Sequence, residues 1–204
     1  MSGLTYTRRV AILGEVTNSV ASRPGKRQRL VESARTLIHA QGVHATTLAE
    51  VAERADVPVG NVYYYFKTKD ELVSAVLDAY AQTAAELVES FERHRTPQAR
   101  LKALVRNWDQ QREVVARYGC PMGSLCTELD KIDDGLDAAG ATVLARIIDW
   151  AEAQFRELGR RDARDLAHTL FAGIQGAALL ANTFRDPEIL TRQTRRLERW
   201  IDSL

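Results

Sequence analysis

Apolar residues recur at spacings of three and four along most of the chain, which is the pattern of amphipathic helices. Helix-breaking positions such as Gly42, Pro58 and Gly159 separate these segments. We find no alternation typical of half-buried strands and no internal repeat. The pattern therefore predicts an all-α protein of about nine helices, with short helices near the N-terminus and a helical bundle after them.

The boundaries of these helices follow from caps and breakers. We expect helices at 26–41, at two short stretches between residues 47 and 66, from 69 to about 93, from 96–97 to 118–119, after 120, from 133–134, from 162 and from 186–187. Residues 1–25 show no helical period and carry several arginines, so we interpret them as a flexible basic arm.

The stretch 47–66 has an unusual second half. Thr47 with Glu50 predicts a capping box for a first short helix, and Asp56-Val57-Pro58 breaks that helix. A second helix follows, over about 58–66. We expect Val57, Val62 and Phe66 to lie on its inner side and to hold it against its neighbours.

The remaining residues of this second helix suit contact with DNA. Asparagine can bond the edge of a base at two positions, glycine allows close approach, and tyrosine offers a hydroxyl group and a flat ring. Three adjacent tyrosines cannot all face one core on a 3.6-residue period, which argues against a buried helix. The candidate DNA-binding residues are Thr47, Val59, Gly60, Asn61, Tyr63, Tyr64, Tyr65, Lys67 and Lys69. This arrangement is typical of a helix-turn-helix.

The run V-G-N-V-Y-Y-Y-F-K-T-K-D-E-L, preceded by A-E-R-A-D-V, resembles the DNA-binding domain of TetR/AcrR transcriptional regulators. The resemblance covers residues 26 to about 84. Many members have a polar pair where this chain has Pro58-Val59, and many have His in place of Tyr65. The resemblance implies a helix-turn-helix domain over 26–70 and a ligand-binding and dimerisation domain over 71–204.

The resemblance also implies a homodimer formed by the last two helices. The eighth helix is rich in small residues, and the ninth has an apolar seam, which suits close packing of helices between two subunits. The alternative is that both helices only close the core of one chain. The candidate interface residues are Leu170, Gly173, Ala177, Leu190, Leu197 and Ile201.

The resemblance implies a small-molecule effector as well, and the sequence offers candidates without distinguishing them from ordinary core residues. These are Trp108, Arg112, Tyr118, Cys120, Met122, Trp150, Phe155, Phe171 and Asn182. Arg112 lies on an otherwise apolar face and needs an acidic or anionic partner. Cys120, in a G-C-P-x-G-x-L segment found in some TetR-type regulators, is either a reactive thiol near a helix N-terminus or an inert buried one.

Charge is distributed unevenly along the chain, although the net charge is only +1. Residues 1–70 contain ten basic and six acidic side chains, and the remainder contains 18 basic and 21 acidic ones. A basic N-terminal domain suits a polyanion such as DNA. The two cysteines and the absence of an apolar leader or membrane segment favour the cytoplasm, with no membrane partner.

Together these features predict a ligand-responsive repressor that binds an inverted-repeat operator as a homodimer. An activator, or a DNA binder without a ligand, would share the same fold. An all-helical enzyme is the alternative from another class, but we find no catalytic motif, no catalytic residues and no metal-ligand spacing. We therefore expect no cofactor, and partners limited to operator DNA, a second copy and an unidentified effector.

Overall fold

The computed structural model describes residues 24–130 and 136–204. These residues form ten α-helices and contain no strand. The helices are α1 (Lys26–Ala45), α2 (Leu48–Ala55), α3 (Val59–Tyr65), α4 (Lys69–Glu92), α5 (Pro97–Gln110), α6 (Arg112–Tyr118), α7 (Pro121–Leu129), α8 (Leu136–Glu157), α9 (Ala163–Phe184) and α10 (Glu188–Asp202). The predicted all-α class is confirmed. The predicted arm over 1–25 and the acidic helix start at 133–134 lie almost entirely outside the described residues.

The helix predicted from residue 97 to residue 118 is divided in two. Gln111 has φ −101° and ψ 7°, outside the helical region, and separates α5 from α6. Its carbonyl accepts hydrogen bonds from the backbone N–H groups of Val114 and Val115, both at 3.0 Å, so a new helix starts at once. Arg112 is consequently the first residue of α6 rather than part of one continuous apolar face.

The chain divides into two compact units. Unit one contains the described residues up to Thr83 together with Ser124–Gly140, and unit two contains Ala84–Gly123 and Ala141–Leu204. Three helices, α4, α7 and α8, therefore contribute residues to both units. No helix in the described part of the chain is long and apolar enough to cross a membrane.

Unit one has a small core beneath α1 to α4. Leu30, Ala34, Val51, Val62 and Val76 are completely buried. The regular part of α1 ends at Gly42, whose φ of +87° and ψ of 164° are unsuitable for a helix and favour glycine. The prediction that Gly42 ends this helix agrees with that geometry.

The core of unit two is built mainly from α5, α8, α9 and α10. Leu101, Phe155, Ala167, Leu170 and Ile201 are among its most deeply buried members. The rings of Phe155 and Trp200 lie 5.9 Å apart. The last helix, α10, packs against both α5 and α9.

This packing corrects the interface residues chosen from sequence. Leu170, Ala177, Leu190 and Ile201 are between 0% and 4% exposed and belong to the interior of one chain. A Cβ built on Gly173 would lie 3.1 Å from Leu197 Cδ2, so these two residues also pack within the chain. The apolar seams of α9 and α10 bury each other, and other residues of α9 face solvent.

Candidate nucleic-acid interface

The turn between α2 and α3 has the geometry of a tight helix-turn-helix connection. Asp56 ends α2 in the left-handed conformation, with φ 51° and ψ 52°. The Val57 N–H then donates to the Ala52 carbonyl at 3.0 Å, and the Asn61 N–H donates to the Pro58 carbonyl at 2.8 Å. The chain thus reverses within Asp56-Val57-Pro58, where the sequence predicted the break.

The N-terminus of α2 has the predicted capping box. The Thr47 hydroxyl accepts from the Glu50 N–H at 3.2 Å, and Glu50 Oε2 accepts from the Thr47 N–H at 2.9 Å. The same hydroxyl donates to Glu50 Oε2 at 2.8 Å. These bonds hold the pKa of the Glu50 carboxyl below its ordinary value of 4.5. Thr47 is exposed, but its hydroxyl is already engaged by Glu50.

The helix α3 has one buried side and one exposed side. Val57, Val62 and Phe66 are 5%, 0% and 2% exposed, so they hold the helix against unit one as predicted. On the other side, Val59 and Gly60 face solvent, and Asn61 is partly exposed. No neighbouring atom lies within 4 Å of a Cβ built on Gly60, which leaves the backbone open at this point.

The three tyrosines spread around the exposed side of α3. Tyr63 is 51% exposed and Tyr64 is 77% exposed, whereas Tyr65 is only partly exposed. The Tyr65 ring meets that of Tyr64 edge-on, with centroids 5.0 Å apart and planes at 89°. Large apolar rings are unusual at such exposure, and contiguous ones commonly mark a binding surface.

Two lysines flank α3, and both have local partners. Lys67 Nζ donates to the Tyr63 carbonyl at 2.7 Å at the end of α3, and Lys69 Nζ donates to the His44 carbonyl at 3.2 Å. An ammonium group has three donor hydrogens, so each retains hydrogens for a phosphate oxygen. Glu71 accepts from the Lys67 N–H at 2.7 Å, and Thr68 accepts from the Glu71 N–H at 3.1 Å, which fixes the start of α4.

Sequence reasoning missed the role of two arginines in α1. Arg29 donates to the carbonyls of Ala55 and Asp56 at 2.9 Å, and to that of Pro24 at 3.3 Å. It therefore ties α1 to the end of α2. The Arg27 guanidinium lies 5.2 Å from the centre of the Phe66 ring. Both partners are distant in the sequence, so only the tertiary structure shows them.

The candidate effector residues all belong to unit two, and three of them are core residues or pack on its core. Phe155 is completely buried, and Trp108 and Trp150 pack against the same core cluster. Trp150 Nε1 also donates to Glu92 Oε1 at 2.6 Å. These contacts give the three aromatic residues a structural role.

The other candidates lie on α6, α7 and α9. Asn182 donates to the Ala116 carbonyl at 3.2 Å and so joins α9 to α6. Met122 and Phe171 are buried, and Tyr118 is partly buried. Arg112, for which the sequence predicts an acidic or anionic partner, has two acidic neighbours. Its Nη1 lies 4.0 Å from Asp109 Oδ1, and its Nε lies 3.8 Å from Glu113 Oε1.

Cys120 is a buried thiol. Burial raises its pKa above the ordinary value, although the Gly123 N–H donates to its Sγ at 3.1 Å. The neutral thiol is therefore the favoured form at neutral pH, which favours the inert alternative over a reactive thiolate. Cys126 is also a free thiol and is partly buried.

Comparison with known proteins identifies both parts of the chain. Residues 30–76 match the family model of tetR-type bacterial regulatory proteins. Residues 97–196 match the C-terminal domain of LmrA/YxaF-like transcriptional regulators. The two matches together span most of the chain.

Similar proteins of full length agree with this result. A helix-turn-helix-type regulator of Mycobacterium tuberculosis is 29% identical over 85% of this chain and 94% of its own length. The transcriptional regulator AcuR of Cereibacter sphaeroides is 28% identical over 82% of this chain and 81% of its own. A TetR regulatory protein from Rhodobacter sphaeroides, known as a crystal structure, is 27% identical with a TM-score of 0.76, covering 85% and 97% of the two chains. The chain belongs to the TetR family of transcriptional regulators, whose members are not enzymes as a class.

The Glu50 capping box makes a prediction about pH. A carboxyl group with a lowered folded-state pKa stabilises the fold above its unfolded pKa, and that contribution is lost as the pH falls through the folded pKa. We expect Glu50→Gln to reduce the free energy of unfolding at pH 7. Below about pH 4.5, the free energy of unfolding of this variant should depend less on pH than that of the wild type. Urea unfolding at several pH values measures both effects. Glu53→Gln, on the same helix but outside the box, is the control, and an identical pH profile for both variants would contradict the prediction.

Proposed function

We propose that this TetR-family chain is a ligand-responsive repressor that binds an inverted-repeat operator as a homodimer. The observation that carries the proposal is the division of α3 into two sides. Its apolar residues are buried beneath it, whereas Gly60, Asn61, Tyr63 and Tyr64 remain accessible. A helix of this kind at the end of a helix-turn-helix fits the major groove of DNA.

The exposed residues of α3 divide into base-contacting and backbone-contacting groups. Asn61 offers an amide that can bond adenine at N6 and N7 together. The bare backbone at Gly60 permits close approach to the groove. The tyrosine hydroxyls and the two lysine ammonium groups suit phosphate oxygens, which position the protein without specifying sequence. Asn61 is therefore the proposed source of sequence preference.

A homodimer would supply the second recognition helix that an inverted repeat needs. The solvent-facing side of α9 supports it. Leu179, Leu180 and Phe184 are 66%, 45% and 67% exposed, and a Cβ on Gly176 would meet nothing within 4 Å. Small and large apolar residues along one exposed helix face allow close packing against the same face of a second copy. We propose this face in place of the buried seam chosen from sequence.

Effector binding in unit two is proposed to control the DNA-binding unit through the helices shared by both. The helix α4 starts at Lys69, beside the recognition helix, and continues without a break to Glu92. Its 24 residues correspond to about 36 Å of helix. A ligand with different affinities for two arrangements of this helix would shift their populations and thereby change operator affinity.

Replacement of Asn61 and of Lys67 should have distinct effects. Asn61→Ala is expected to weaken binding by about 1–3 kcal/mol on the operator and much less on random DNA, because it removes base contacts. Lys67→Ala is expected to weaken binding to both duplexes similarly and to lower the salt dependence by about one counterion. Fluorescence anisotropy on both duplexes at several salt concentrations measures these quantities. Unchanged operator affinity of Asn61→Ala would show that α3 does not recognise bases as proposed.

A charge on the exposed face of α9 should separate the subunits. We expect Leu179→Glu to convert a dimer into a folded monomer, because two copies of the carboxylate would be buried at the interface. Sedimentation velocity measures the mass, and circular dichroism checks the helical content. Arg195→Glu, which places a carboxylate on the exposed side of α10, is the control and should remain dimeric. A Leu179→Glu protein that sediments as the wild type does would exclude this face as the interface.

A further inference from the structure

The turn that connects α1 to α2 is fixed by several hydrogen bonds. The Thr46 hydroxyl donates to the Gly42 carbonyl at 2.7 Å, and the Thr46 N–H donates to the Val43 carbonyl at 3.2 Å. Lys69 reaches the His44 carbonyl from the start of α4. The next residue is Thr47, which caps α2. The position of this turn therefore determines where the helix-turn-helix begins.

One further bond to this turn comes from a residue 85 positions away in the sequence. Glu128, near the end of α7, accepts a hydrogen bond from the Val43 N–H at 2.6 Å on its Oε2. Both residues belong to unit one. Hydrogen bonds from a backbone amide to a carboxylate are stronger than neutral ones. This bond is part-buried, which limits competition from water.

Gly42 is shaped to receive the same carboxylate. A Cβ built at residue 42 would lie 2.9 Å from both Glu128 oxygens, closer than real side chains approach. The φ of +87° at Gly42 independently favours glycine. The positive φ of Gly42, its missing side chain and the part-buried Val43 N–H together form a receptor for the Glu128 carboxylate.

We propose that Glu128 is a positioning residue for DNA binding, holding the turn 42–46 so that α2 and α3 are presented in the orientation that fits the operator. Glu128 touches no DNA in this scheme and acts through Val43. Its helix, α7, begins at Pro121 in unit two and ends in unit one. A rotation of α7 would withdraw the carboxylate and release the turn, which makes this bond a route for effector control. The inference rests on the proposed DNA-binding function.

Electrostatics alone predict the opposite result for loss of Glu128. Removing a negative charge from a DNA-binding unit reduces repulsion from phosphate and should strengthen binding to any duplex. The positioning role predicts weaker binding, and only to the operator. The sign of the change in operator affinity therefore distinguishes the two explanations.

The test uses the full-length protein and a duplex that the wild type selects from a random library, with unselected duplex as the comparison. Glu128→Ala removes the acceptor, whereas Glu128→Gln removes the charge but retains an oxygen that can accept from the Val43 N–H. Asp130→Ala is the matched control, because it removes a nearby exposed negative charge without touching the turn. Hydrogen exchange of the Val43 amide in the free protein reports the bond directly. Should Glu128→Ala fail to fold, Glu128→Asp, which shortens the side chain by one methylene, replaces it.

We expect Glu128→Ala to lose about tenfold or more in affinity for the selected duplex. Its affinity for unselected duplex and its salt slope should be unchanged or slightly raised, and its Val43 amide should exchange faster than in the wild type. Glu128→Gln should stay within about threefold of the wild type on the selected duplex. Asp130→Ala should bind the selected duplex with the affinity of the wild type.

Two results would overturn the inference alone. One is that Glu128→Ala binds the selected duplex with an affinity equal to or higher than that of the wild type. The other is equal loss on selected and unselected duplexes, which would indicate damage to the whole unit. Failure of the wild-type protein to enrich any sequence from the library would overturn the proposed function, and this inference with it. The two kinds of failure are distinguished by the behaviour of the wild type.

Discussion

Burial of Val57, Val62 and Phe66 fixes the orientation of α3, and every contact proposed for DNA depends on that orientation. Val62 lies within α3, whereas Val57 precedes the helix and Phe66 ends it. Burying one residue in the middle and one at each end holds this side of α3 inward and leaves Tyr63 and Tyr64 on the outside. The exposed rings of Tyr63 and Tyr64 leave apolar surface in contact with water, which is unfavourable. That cost is understandable in a surface which is covered when DNA is bound.

Much of unit one followed from the sequence because its signals are local. The capping box of Thr47 and Glu50, the break at Asp56-Val57-Pro58 and the end of α1 at Gly42 each depend on a few neighbouring residues. The partners of Arg29 and the bond between Glu128 and Val43 could not be predicted in this way. They join residues 26 and 85 positions apart, and no spacing rule specifies contacts of that range.

Unit two was harder to interpret for a different physical reason. An apolar seam at spacings of three and four looks the same whether it faces another helix of the chain or a second subunit. The sequence therefore assigned Leu170 and Ile201 to an interface, although both are completely or almost completely buried in one chain. The break at Gln111, which divides α5 from α6, also lacks the glycine or proline that usually indicates a helix end. The same ambiguity applies to the candidate effector residues, because the sequence does not distinguish ligand contacts from core residues. The hydrogen bonds of Trp150 and Asn182 show a structural role for these two side chains.

The central claim is that the exposed side of α3 makes this protein a sequence-specific DNA binder. The most direct measurement is the affinity of the wild-type protein for DNA upstream of its own coding region, titrated against random competitor at two salt concentrations. We expect binding at least about 10³-fold tighter than to competitor, with a steep loss of affinity as salt increases. Equal affinity for upstream and random DNA, at both salt concentrations and with reductant present, would contradict it.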